Sequence, residues 1–221
     1  MSNITMSSKN AAAALFAMLL GGIATPDPAS AATISKIGGN HSAALAQNLD
    51  GSFSTFTDHN VLDSSMIPHV TILNAAGDNG FDWYKFTAVA AGRLILDIDG
   101  GMPGMDTELF LFDSAGAAII GNDDFFPHTA GGGGSVHSFD SFIDTMINAG
   151  TYYVVVGEFN SFFTGGAFGL AGGFPDTGDS YTLHVSLQNP VTMDVPEPAS
   201  GMLLVLGLAG AAAIRRRQQR A

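Results

Sequence analysis

Residues 81–124 decide the fold, and they read FDWYKFTAVAAGRLILDIDGGMPGMDTELFLFDSAGAAIIGNDD. Side chains alternate between two faces over residues 93–99: Leu94, Leu96 and Ile98 take one face, and Ile95, Asp97 and Asp99 take the other. Both aspartates therefore leave the strand on the same side. Residues 108–113 are apolar on both faces except at their ends, which is typical of a central strand. Glycine-rich turns separate these strands, and carboxylates collect where the strands end. The pattern predicts an antiparallel sandwich with an acidic rim.

Strand patterns continue beyond this stretch. Residues 151–157 (TYYVVVG) form the most strand-like run in the chain, and residues 180–188 alternate cleanly between apolar and polar side chains. The segment 158–178 is rich in glycine and phenylalanine, and we interpret it as a binding surface or a lid. No convincing helix pattern interrupts the strands. Residues 32–190 are therefore predicted to form one all-β, antiparallel β-sandwich domain.

Charge and composition exclude several functions. The chain has 221 residues and a formal net charge of −12, from 20 acidic and 8 basic residues. Half of the basic residues lie at the C-terminal end, so the body is strongly acidic and nucleic acid is not an expected partner. The absence of cysteine excludes disulfides, thiolate zinc sites and cysteine nucleophiles.

The first 31 residues have the features of a secretory signal peptide. Lys9 precedes a short apolar run over residues 11–23, and small residues at 29–31 offer a cleavage site. The alternative is a buried N-terminal helix, but Pro26 and Pro28 would break it before the small residues. We therefore predict an N-terminal signal helix that is removed on export.

The last segment, residues 191–221, combines three features. Pro196, Glu197 and Pro198 precede an apolar run over residues 201–214, and Arg215, Arg216 and Arg217 follow it. A helix of that length spans ~21 Å at 1.5 Å per residue, against about 30 Å for a hydrocarbon core. It is marginal as a permanent transmembrane helix, and the arginines would stay cytoplasmic.

These C-terminal features closely resemble the PEP-CTERM sorting signal of Gram-negative bacteria; an ordinary C-terminal transmembrane helix is the alternative. The resemblance implies that an exosortase, a membrane transpeptidase, cuts the chain near the motif. It implies export across the inner membrane, transient anchoring by the C-terminal hydrophobic helix, and a cell-surface or matrix fate linked to exopolysaccharide.

The body resembles a second group of proteins over roughly residues 40–188. The motifs that carry the resemblance are Asp82-Trp83-Tyr84-Lys85-Phe86, Asp97-Ile98-Asp99, Asp106-Thr107-Glu108-Leu109, Asn122-Asp123-Asp124 and Gly150-Thr151-Tyr152-Tyr153. They resemble the DVUA-type PEP-CTERM proteins, which are related to bacterial pre-peptidase C-terminal domains. The resemblance implies a jelly-roll-like sandwich that serves as a secreted, non-catalytic module and sometimes binds calcium.

Calcium is the sharpest site hypothesis, because hard cations prefer carboxylate and carbonyl oxygens and clustered like charges are costly unless neutralised or solvated. An EF-hand is rejected, since Met102 stands where that loop requires glycine and strands flank the segment. The alternative to a metal is a solvated acidic edge that prevents strand pairing between molecules. The candidate ligands are Asp97, Asp99, Asp106, Glu108, Asn122, Asp123 and Asp124.

Three functions remain open. We favour a surface or matrix module without catalytic residues, since neither Gly-x-Ser-x-Gly nor His-Glu-x-x-His occurs. The second is a carbohydrate-binding module for exopolysaccharide, with Trp83, Phe162 and Phe163 as candidate stacking surfaces, although such aromatic residues also pack loops. The third is a glycan-directed hydrolase that uses two of the rim carboxylates.

Overall fold

The computed structural model describes residues 33–100, 104–125 and 138–188. The signal helix and the C-terminal hydrophobic helix that the sequence predicts lie outside these residues. Within the described ranges, no helix is long and apolar enough to cross a membrane.

The described chain forms strands joined by turns, with a single 3-10 helix at Ala43–Leu45. The strands are β1 (Thr33–Ile34), β2 (Gln47–Asn48), β3 (His69–Ala76), β4 (Asp82–Ala88), β5 (Gly92–Asp99), β6 (Thr107–Asp113), β7 (Ala118–Asn122), β8 (Phe142–Ile147), β9 (Gly150–Glu158), β10 (Phe162–Phe163), β11 (Leu170–Ala171) and β12 (Ser180–Leu187). All of them lie within the predicted domain 32–190, and the all-β prediction is confirmed.

Two five-stranded sheets make up the sandwich, in the orders β1-β3-β12-β5-β8 and β2-β4-β9-β6-β7. The longer strands pair antiparallel, whereas β1 and β2 each add to an edge in parallel. The first long strand, β3, lies beside the last, β12, and β4 lies beside the last but one, β9. This strand order is that of a jelly roll.

The inner faces of the two sheets form the main core. Leu94, Leu96 and Ile98 of β5 are buried there, opposite Leu109 and Leu111 of β6 in the other sheet. The strict alternation of β5 is therefore explained by one apolar face that packs inward. Burial of such side chains supplies the dominant favourable free energy of folding, about 25 cal/mol per Å² of apolar surface.

A second apolar cluster covers the outer face of the sheet that contains β6. Phe110 and Phe112 of β6 point to this outer side and pack with Trp83 and Val155. The segment 159–178, which includes the β10–β11 hairpin, closes over them through Phe163 and Phe168. We call this segment the lid. It explains why β6 is apolar on both faces, as the sequence predicts for a central strand.

The turn between β6 and β7 fixes the lid against the sheet. Gly116 in this turn has a φ of +82°, and a Cβ atom there would lie 2.7 Å from the ring of Phe168. The Phe168 N–H donates to the Gly116 carbonyl over 2.9 Å. Only glycine fits both the left-handed backbone and the close approach of the lid.

Candidate functional site

The structure brings three of the predicted cation ligands together at one end of the second sheet. One carboxylate oxygen each from Asp106, Asp123 and Asp124 lies within 4.8 Å of the others. Asp106 precedes β6, and the other two follow β7, so the antiparallel pairing of β6 with β7 places them side by side. Burial, then the charges of the other two aspartates, raise the pKa of Asp123. We call these three residues the acidic cluster.

Glu108 lies beside the acidic cluster, with a protein donor for one of its oxygens. It is buried, and its Oε2 atom accepts hydrogen bonds from the Ser161 N–H over 2.7 Å and from the Ser161 hydroxyl. Burial raises the pKa of Glu108, the bonds from Ser161 oppose that rise, and the charges of Asp123 and Asp106 add to it. Glu108 thus hydrogen-bonds to the lid through Ser161, and its carboxylate adds to the negative potential of the acidic cluster.

Asn122 shapes the loop that carries the cluster. Its Oδ1 atom accepts a hydrogen bond from the Phe142 N–H over 2.9 Å, and its Nδ2 donates to the Asp124 carbonyl over 3.1 Å. The buried Oδ1 atom of Asp123, in contrast, has no hydrogen-bond partner within the described ranges. Three carboxylates, one of which has an unused buried oxygen, form the donor set that a hard cation prefers.

Asp97 and Asp99 are not part of the grouped carboxylates, because they lie on β5 in the other sheet. Both share the face opposite the core, as predicted, but they are only 2% and 6% exposed, so the alternative of a solvated acidic edge does not apply to them. Asp99 Oδ2 lies 2.9 Å from His184 Nε2. The strands β5 and β6 follow each other in the chain but lie in different sheets, so Asp97 and Asp99 are separated from the acids of β6 that lie close to them in the sequence.

The same pair belongs to a relay that looks like a catalytic triad. His184 Nδ1 lies 2.8 Å from the hydroxyl oxygen of Thr71, which in turn donates to Asp58 over 3.2 Å. Asp99, His184 and Thr71 are all buried. A hydroxyl held between two partners inside the protein has no position for a substrate beside it, so this relay stabilises the loop that contains Asp58.

The predicted aromatic contacts divide into buried and exposed ones. Trp83 is 4% exposed, stacks on Phe112 with ring centroids 5.6 Å apart and is one of the residues that line an open groove of ≈ 620 Å³. Phe163 packs edge-on against Phe110 and Phe112. The interpretation of Trp83 as a stacking surface is therefore corrected, because a ring that is 4% exposed and already stacked on Phe112 offers too little surface for a sugar.

Phe162 differs from these, because it is 54% exposed. It lines a cleft of ≈ 250 Å³ together with Phe163, Glu108, Asn122 and Asp123. An exposed aromatic ring thus stands next to the acidic cluster, with carboxylate and amide groups beside it. Sequence patterns placed these residues in different segments, and the lid brings them together.

A second polar group was not predicted. His41, Asp78 and Asp82 bring ligand atoms within 4.8 Å of one another, and the side chain of Lys36 lies between the two aspartates. The sequence feature that could have indicated this group is Lys36, because the body of the chain from residue 32 to 195 has only two other basic residues, Lys85 and Arg93.

Comparison with known proteins supports both resemblances. Residues 80–158 match the family profile of the bacterial pre-peptidase C-terminal domain, and residues 194–217 match the PEP-CTERM protein-sorting motif. That motif is a sorting signal recognised by an exosortase, which supports the predicted partner at the C-terminus. The resemblance to these two families is confirmed, and the finer DVUA type stays a prediction.

One solved structure that the chain resembles is the pre-peptidase C-terminal domain of a collagenase from Bacillus anthracis. The identity is 14%, the match covers 55% of this chain and 89% of that domain, and the TM-score is 0.32. No curated protein matches the chain. The class that fold and motifs define is thus a β-sandwich with a sorting signal, and no catalytic family is indicated.

Proposed function

We propose that this chain is an exported, non-catalytic β-sandwich module that a Gram-negative bacterium processes through the C-terminal sorting signal and presents at its surface or in its matrix. The observation that carries the proposal is the match of residues 194–217 to the sorting motif, behind a domain of the pre-peptidase C-terminal type. The cysteine-free, acidic composition suits an exterior where cations screen carboxylates.

Export and sorting are tested in a host with and without its exosortase. The full chain should leave the cytoplasm in both hosts, and release from the inner membrane should require the exosortase. Replacing Pro196, Glu197 and Pro198 by alanine should retain the protein in the membrane fraction of the normal host. If the variant and the wild type distribute alike, the sorting role of the motif is contradicted.

We further propose that the acidic cluster binds calcium. The support is the convergence of Asp106, Asp123 and Asp124, the unused buried oxygen of Asp123 and the raised pKa values of Asp123 and Glu108. A cation would relieve this repulsion, and bound calcium would stabilise the folded protein by RT ln(1 + [L]/Kd), about 2.7 kcal/mol at a hundredfold excess over Kd. Extracellular sites typically have Kd on the order of 10⁻⁴–10⁻³ M.

The calcium proposal is tested by the thermal midpoint of the purified protein. Millimolar calcium should raise the midpoint and a chelator should lower it, whereas magnesium should do much less because it demands a small octahedral shell. Asp123→Asn should abolish the response, and Asp144→Asn, which removes an exposed acid from β8, should keep it. Equal effects of calcium, magnesium and sodium chloride would mean charge screening and would contradict the site.

A second candidate function is carbohydrate binding, and the exposed ring of Phe162 favours it. Sugar rings stack on exposed aromatic faces, and the neighbouring Glu108, Asn122 and Asp123 offer acceptors for sugar hydroxyls. Phe162→Ala should abolish retention on purified exopolysaccharide without a change in stability. Unchanged retention would exclude this cleft, and turnover of the polymer would instead support the third function, a glycan-directed hydrolase.

A further inference from the structure

Lys36 occupies an unusual position for a lysine. Its side chain is 4% exposed, and its Nζ atom lies 2.6 Å from Asp78 Oδ1 and 2.7 Å from Asp82 Oδ1. The same nitrogen donates to the Ala76 carbonyl over 2.7 Å. The nitrogen donates hydrogen bonds to Asp78 and Ala76 and is in ion-pair contact with Asp82 Oδ1, so it takes the place that a metal would need among these carboxylates.

Asp82 is the more deeply buried of the two aspartates, and its second oxygen is held as well. Its side chain is fully buried, whereas that of Asp78 is 31% exposed. The Tyr181 hydroxyl donates to Asp82 Oδ2 over 2.7 Å, and the hydroxyl oxygens of Tyr181 and Tyr84 are 2.7 Å apart. The carboxyl group of Asp82 is therefore fixed in one orientation between an amine and a phenol.

The two carboxyl groups differ in their affinity for a proton. Burial raises the pKa of Asp82 to about 6, although its contacts with Lys36 and Tyr181 oppose the rise. Hydrogen bonds from Lys36, the Gly39 N–H and His41 lower the pKa of Asp78 despite its partial burial. Asp82 therefore binds a proton more tightly than Asp78 does. A protonated carboxyl carbon is open to attack by an amine, since its hydroxyl leaves as water.

We propose that Lys36 and Asp82 are joined by an amide (isopeptide) bond that forms within the folded domain. Transfer of one proton within the ion pair gives a neutral amine and a carboxylic acid. The Lys36 nitrogen then attacks the carboxyl carbon of Asp82, while Tyr181 stabilises the negative charge that develops on Oδ2. Asp78 accepts a proton from the nitrogen and returns it to the departing hydroxyl, so one C–N bond forms, one C–O bond breaks and one water leaves.

The fold supplies the conditions that this reaction needs. Amine and carboxyl groups held in contact, away from water, react as if at very high concentration. Nothing but the folded protein is required, because amine, carboxyl and base all come from this chain. The bond would tie the segment after β1 to β4, which belongs to the other sheet, in a domain without cysteine. It would take the role that a disulfide has in other exported domains.

The test is a peptide map of the protein exported by cells that produce the full chain. After denaturation, trypsin should fail to cut behind Lys36 and should cut behind Lys85, which serves as an internal control. The peptide that runs through Lys36 to Lys85 should weigh less than its sequence by one water, and fragmentation should place the loss on Lys36 and Asp82.

The wild-type protein alone decides the outcome, so the test does not depend on whether variants fold. Full cleavage behind Lys36 with an unaltered peptide mass overturns the proposal, and a bond mapped to Asp78 overturns the assignment of Asp82. Lys36→Arg keeps the positive charge but not the amine nucleophile, and it should show the full sequence mass. Asp82→Ala removes the carboxyl group and should restore cleavage behind Lys36.

Discussion

Replacing Trp83 by alanine separates a packing role from a ligand-binding role. Trp83 is 4% exposed and packs against Phe112 and Phe168, with ring centroids 5.6 Å and 5.9 Å away. A buried aromatic side chain covers about 150–250 Å², which gives roughly 4–6 kcal/mol at about 25 cal/mol per Å² as an upper bound. Aromatic-to-alanine changes in cores typically cost about 3–5 kcal/mol, and we expect that loss here.

Phe162→Ala is the matched control, because Phe162 is another of the three aromatic residues proposed for a glycan but is 54% exposed. Its free energy of unfolding should stay within about 0.5 kcal/mol of the wild type. Urea unfolding followed by circular dichroism measures both variants, since Trp83 is the only tryptophan and its fluorescence is lost with the change. A Trp83→Ala protein as stable as the wild type would refute the assignment of Trp83 to the packed cluster under the lid.

Two further predictions concern the lid and an exposed ion pair. Gly172→Ala should loosen the lid, because Gly172 has a φ of +111° and a Cβ atom there would collide with the Asn160 carbonyl. Gly166→Ala should loosen the lid much less, because Gly166 has a φ of +76° but open space around it. Limited proteolysis of the lid measures both effects. Asp144→Asn should lower stability by less than about 1 kcal/mol near neutral pH. The Arg93 guanidinium donates to both carboxylate oxygens of Asp144, over 2.8 Å and 2.6 Å, and these hydrogen bonds hold the pKa of Asp144 below its ordinary value. The pair therefore stabilises the fold above the ordinary carboxyl pKa, and this contribution vanishes as the pH falls through the lowered pKa. Urea unfolding should distinguish the variant from the wild type near neutral pH and give equal stabilities at a pH below the lowered pKa.

Local alternation was enough to predict the strands and their faces. The two aspartates of β5 lie on the face opposite Leu94, Leu96 and Ile98, and β6 is a central strand with apolar side chains on each face. Both results follow from the two-residue period of a strand, which depends only on neighbouring residues. The outer apolar face of β6 also required a cover, and the lid segment 159–178 supplies it.

The order of the strands within each sheet could not be predicted from the sequence, and the candidate site depends on that order. Asp106 and Asp123 meet because β6 pairs with β7, whereas Asp99 follows β5 into the other sheet. Lys36 and Asp82 are far apart in the chain and meet only when the N-terminal segment packs against β4. No local periodicity encodes such contacts, since they arise from the order of the strands in the closed sandwich.

Export with processing at both ends is tested by the mass of the surface form. The protein should be recovered from the outer layer of a producing Gram-negative cell, and its intact mass and terminal peptides determined. We expect a chain without residues 1–31 and without the arginine tail that begins at Arg215. Full-length chain confined to the cytoplasm would contradict export, and an uncut C-terminus in the outer layer would contradict sorting.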